Sequence, residues 1–149
     1  MTVHILRNNL ALLKSLHPNA YEIINSTQTS LEYKVSPSQS GCPTLIHLSV
    51  KGSEKYLLSK FDPVREASRL IASLNVDETT NFIVVGIGLG YQLTELIKGV
   101  PEFSKIIVIE NDRQLARLAF ETNDFKQFLT HPGLSLVFSD QQEDAIEVL

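Results

Sequence analysis

Hydrophobic positions recur with a helical period at the start of the chain. Between residues 3 and 16 the apolar side chains return every three or four positions, which is the spacing of one face of an α-helix. Pro18 ends this helix, because the residue before a proline is pushed out of the helical region. Residues 20–24 are apolar enough to add one helical turn. The chain therefore begins with an amphipathic helix.

A period of two replaces the helical period further along. Apolar and polar residues alternate through residues 31–36, the pattern of a half-buried β-strand. Two more apolar segments, 44–50 and 55–58, flank Gly52 and Ser53, which are residues typical of a hairpin turn. These segments predict a small antiparallel β meander.

A second helix is predicted after the meander. Asp62 can accept a hydrogen bond from a free backbone N–H at the helix start, and Pro63 suits the first helical position. Apolar residues then follow at helical spacing through residues 64–74, before a polar connection at 75–81. Residues 1–75 thus predict a module of helix and β meander.

The second half of the chain alternates short apolar runs with helical patterns. Helical periods at 91–99 and 115–128 separate three apolar runs, and a last helix is predicted from about Glu143. The runs, each expected to form a strand buried on both faces, are residues 82–85, 106–109 and 134–138. The order βαβαβ is half of a doubly wound parallel sheet. The strand at 82–85 is expected to lie beside that at 106–109, because consecutive right-handed crossovers place such strands together.

Charge supports a boundary between these two patterns. Residues 1–75 carry eight basic and five acidic side chains, a net charge of +3, whereas 76–149 carry five and twelve, a net charge of −7. We therefore predict an α/β protein with a helix-plus-meander module at 1–75. An incomplete Rossmann-like unit follows at 76–149 and is expected to be truncated from a longer chain.

Composition narrows the function classes. The 149 residues are 43% hydrophobic and 20% charged, which is typical of a globular protein. The net charge of −4 argues against nucleic-acid binding. A single cysteine, Cys42, excludes an internal disulfide, and with four scattered histidines it predicts no metal site. No apolar segment approaches the roughly 20 residues needed to span a bilayer, and no signal peptide is visible. We expect a soluble, cytoplasmic protein.

The candidate chemistry lies in a strand–turn–helix segment. Gly86, Gly88 and Gly90 follow the first buried strand, where glycine permits a positive φ and lets a ligand approach the backbone. The next helix begins with free N–H groups that suit a phosphate or carboxylate. Glu110, at the end of the next strand, is placed to accept both hydroxyls of a ribose. Asp140, after the third strand, is placed to bind an adenine amino group.

The glycine spacing discriminates between ligands. The dinucleotide fingerprint G-x-G-x-x-G would require glycine where Tyr91 stands. The arrangement G-x-G-x-G resembles that of S-adenosylmethionine methyltransferases, but these enzymes usually have an acidic residue where this chain has Val84. Two interpretations stay open: a site for a nucleotide or S-adenosylmethionine-like cofactor, or a tight turn with no ligand. No catalytic residue is predicted.

Three blocks of sequence resemble one known family. They are LLSKFDPVREA at residues 57–67, GIGLGYQL at 86–93 and IVIEND at 107–112, where Asn111 replaces a usual proline. In this order they are similar to the N-terminal domain of motility accessory factors, bacterial glycosyltransferases that transfer nonulosonic acids to flagellin. The resemblance extends from about residue 31 onwards.

The resemblance carries an implication about function. In that family the sugar-nucleotide chemistry belongs to a following domain, so the resemblance implies that this chain is an accessory, non-catalytic part of a glycosyltransferase. The partners it implies are flagellin or the downstream glycosyltransferase domain. A methyltransferase-like or nucleotide-binding domain is the alternative that the glycine turn suggests.

Overall fold

A computed structural model describes residues 2–79 and 81–138. The strands in these residues form two separate sheets, each of three strands. Both Asp140 and the helix predicted from Glu143 lie outside the described residues. No helix in the described part is long and apolar enough to cross a membrane. The elements of the first half are α1 (Thr2–Leu16), α2 (Pro18–Ser26), β1 (Tyr33–Pro37), β2 (Pro43–Leu48), β3 (Glu54–Tyr56) and α3 (Pro63–Ala72).

The first half follows the predicted order of elements, with one helix longer than expected. Pro18 ends α1 and also occupies the first turn of α2, where its missing N–H costs no hydrogen bond. The one helical turn predicted at residues 20–24 is thus part of a nine-residue helix. Asp62 caps α3 as expected, with its side chain accepting the N–H of Arg65 at 3.0 Å.

The predicted meander is a three-stranded antiparallel sheet in the order β1-β2-β3. Tyr33 pairs with His47 in the first ladder, and His47 pairs with Lys55 in the second. The chain turns between β2 and β3 at Gly52, whose φ is 81°. The hairpin prediction is confirmed.

The second half is the predicted βαβαβ unit. Its strands are parallel and lie in the order β4-β5-β6, so the predicted adjacency of the first two strands is confirmed. Asn123 ends one helix of the predicted segment 115–128, and a second short helix follows. The elements are β4 (Asn81–Val85), α4 (Tyr91–Gly99), β5 (Lys105–Glu110), α5 (Arg113–Thr122), α6 (Lys126–Leu129) and β6 (Leu134–Phe138).

The strand predicted at residues 82–85, which is β4, was expected to be buried on both faces, and this expectation is wrong. Ile83 and Val85 are 57% and 74% exposed, whereas Phe82 and Val84 pack against the core from the opposite face. The two crossovers run in the same direction across the sheet and are right-handed by rule, so α4 and α5 lie on the same face. In the described residues β4 is also an edge strand.

The hydrophobic core lies on the covered face of the parallel sheet. It joins residues of α1 and α2 to α4, α5 and α6. Four phenylalanine rings of the second half make three edge-on or tilted contacts within it, Phe120 with Phe125, Phe120 with Phe138 and Phe125 with Phe128. Residues from both sides of position 76 contribute to this one cluster. The proposed domain boundary at residue 76 stays a prediction.

Candidate functional site

The glycine turn connects the carboxyl end of β4 to the start of α4. Gly86, Gly88 and Gly90 have φ values of 86°, 55° and 82°, in the left-handed region that strains other residues. Gly90 is the N-cap of α4, and a Cβ atom at this position would overlap the ring of Phe125. At Gly90, therefore, both the backbone conformation and the packing require glycine.

Glu110 ends β5 and is bonded to this turn. Its side chain is buried, and its Oε2 accepts the N–H of Ile87 at 2.8 Å. Its Oε1 accepts the N–H of Asp112 at 2.9 Å. Both carboxylate oxygens, which the sequence assigned to ribose hydroxyls, thus accept backbone N–H groups in this structure. Binding of a ribose by this residue stays a prediction.

Asp112 connects the parallel sheet to the meander. Its Oδ1 caps α5 by accepting the N–H groups of Gln114 and Leu115 at 3.0 and 3.1 Å. Its Oδ2 accepts the hydroxyl of Tyr33 at 2.6 Å. Burial, followed by this hydrogen bond to a carboxylate, raises the pKa of the Tyr33 hydroxyl above its ordinary value. The site therefore holds Tyr33 in its neutral, donating form.

Other parts of the first half also lie against the glycine turn. The Tyr91 hydroxyl donates to the backbone carbonyl of Pro43 in β2 at 2.7 Å, and burial raises the pKa of this hydroxyl. Leu58 lies 3.6 Å from the place where a Cβ on Gly88 would be. The meander and the segment after it thus lie at the carboxyl end of the parallel strands, where ligands of doubly wound folds bind.

The space left at this end is small. A cavity of about 200 Å³ remains beside the turn, below the roughly 300–1,000 Å³ of typical small-molecule sites. Nothing lies within 4 Å of the Cβ position at Gly86. The cavity is lined by Leu58, Pro63, Glu66, Ala67, Val85, Gly86, Ile87, Gly88, Leu89, Tyr91 and Gln92.

The polar residues of the block at 57–67 hold its own backbone. Ser59 Oγ accepts the N–H groups of Phe61 and Asp62 at 3.2 and 3.1 Å. Glu66 Oε2 accepts the N–H of Ser59 at 2.9 Å. With the Asp62 cap on Arg65, these bonds fix the tight entry into α3 and thereby place Leu58 against the glycine turn.

Asn9 of α1, which the sequence did not indicate as a site residue, supports the glycine turn from the core side. Asn9 is fully buried and donates to the backbone carbonyls of Phe120 and Asn123 at 2.8 and 2.7 Å. It also accepts the N–H of Phe125 at 3.0 Å, which fixes the ring beside Gly90. The sequence did contain a signal for this role, because Asn9 lies on the apolar face of the predicted first helix and a buried amide requires hydrogen-bond partners.

Two of the histidines and the single cysteine lie apart from the glycine turn or bond the backbone. His17 and His131 bond backbone carbonyls of Leu129 and Ser104. Cys42 is a free, half-buried thiol. The described residues contain no group of three or more His, Cys, Asp or Glu that could hold a metal ion.

Comparisons with known proteins give one family and one distant structural likeness. A family model described as "Glycosyltransferase Maf N-terminal domain" matches residues 25–132. No curated protein matches the chain significantly. The crystal structure of MNMC2 from Aquifex aeolicus is 18% identical in sequence and covers 86% of this chain with a TM-score of 0.43. The chain spans 48% of that protein's length.

Proposed function

Because the chain belongs to the glycosyltransferase Maf N-terminal domain family, we propose that it is an accessory, non-catalytic domain of a flagellin-modifying glycosyltransferase. In this proposal it acts in the cytoplasm and positions a partner, either flagellin or the downstream glycosyltransferase domain. It supplies no residue that reacts with the sugar.

The observation that carries the proposal is that the protein's own groups bond the acidic residues and leave only a small cavity at the carboxyl end of the parallel sheet. Both oxygens of Glu110 accept backbone N–H groups, and Asp112 is used as a helix cap and as the acceptor of Tyr33. Leu58 lies against Gly88. A nucleotide bound as in other doubly wound folds would need these same groups and this same space. These contacts therefore favour a glycine turn that stabilises the fold over one that binds a nucleotide.

The charge distribution supports a role in docking. The first 75 residues carry a net charge of +3 and the remaining residues −7. Charge separation of this kind orients an encounter with a complementary partner more than it adds affinity. We expect association with the partner to weaken as ionic strength rises.

Sugar transfer is the direct test. The chain of residues 1–149 is incubated with a nucleotide-activated nonulosonic acid and unmodified flagellin, and glycosylated flagellin is measured by mass spectrometry. A full-length enzyme of the same family, active on that flagellin, serves as the positive control, and circular dichroism verifies folding. We expect no transfer by this chain. Turnover above the no-protein background would contradict the proposal.

Calorimetry separates this proposal from the ligand-binding alternative. S-adenosylmethionine, S-adenosylhomocysteine and a cytidine nucleotide are each titrated into the protein. We expect no binding heat at ligand concentrations up to about 1 mM, the range of affinities near −4 kcal/mol. Micromolar binding that is lost in Glu110→Ala, measured at a temperature where the variant is folded, would favour a nucleotide or cofactor site instead.

A further inference from the structure

We draw no further inference here: the strongest candidate, the apolar groove of about 230 Å³ between Leu70 and Leu74 of α3 and the exposed face of β4, carries none because nothing in the structure shows what covers it.

Discussion

The carboxylate of Glu110 is buried between two backbone N–H groups, those of Ile87 and Asp112. At the scale of single residues this arrangement ties the end of β5 to the glycine turn. An ionised carboxylate bound by two N–H groups satisfies both donors, and each donor would be costly to leave buried without an acceptor.

Replacement of Glu110 tests this structural role. Glu110→Gln puts an NH₂ group against one backbone N–H, and we expect the free energy of unfolding to fall by about 2 kcal/mol. Chemical denaturation with urea measures the change. Glu102→Gln, at an exposed position in the loop before β5, is the control and should change stability by less than about 0.5 kcal/mol. An unchanged unfolding free energy in Glu110→Gln would show that the two hydrogen bonds contribute nothing.

At the scale of elements, the turn between β4 and α4 depends on its glycines for two separable reasons. Gly88 and Gly90 both have positive φ, but only Gly90 lies against another side chain closely enough to forbid a Cβ. The nearest atom to a Cβ on Gly88 would be Leu58 Cδ2 at 3.6 Å, an ordinary contact.

This difference predicts unequal effects of two alanine substitutions. Gly88→Ala should cost roughly 1 kcal/mol or more from the backbone conformation alone. Gly90→Ala should cost about 3 kcal/mol or more, because the Phe125 ring, held through Asn9, must also move. Thermal unfolding of the two variants side by side measures the difference. Equal losses would show that the ring adjusts freely.

At the scale of the whole molecule, the bond between Tyr33 and Asp112 joins the meander to the parallel sheet. The pKa of Tyr33 is raised in the folded protein, so its proton is held more tightly there than in the unfolded chain. The resulting stabilisation is fully present below the unfolded-state pKa of about 10. It is lost as pH rises from there through the folded-state pKa.

Tyr33→Phe should therefore change the alkaline behaviour of the protein. We expect the variant to be about 1–2 kcal/mol less stable at pH 7, since a hydrogen bond to a carboxylate is lost. Its stability should also fall less steeply between pH 10 and 12, and the remaining slope should include the contribution of Tyr91, whose pKa is raised as well. Denaturation curves at several pH values measure both effects. Parallel pH profiles for the two proteins would contradict the assignment.

Local signals in the sequence were sufficient for most elements. The Asp62-Pro63 start of α3, the hairpin at Gly52 and the βαβαβ order all depend on neighbouring residues, and the structure confirms each. The glycine turn was located in the same way, as was Glu110 at the end of β5. Side-chain period and turn chemistry act over a few residues, so they can be read along the chain.

The partners of those residues could not be read in this way. Glu110 bonds Ile87, 23 positions away, and Tyr33 bonds Asp112, 79 positions away. Ile83 is exposed because the helices that follow β4 and β5 lie on the opposite face of the sheet. The sequence by itself determined most of the elements, the turn and the family, because these depend on local pattern and motif. Only the tertiary structure decided that Glu110 accepts backbone N–H groups and that Asp112 also accepts the Tyr33 hydroxyl, because burial and strand order arise when distant segments pack together.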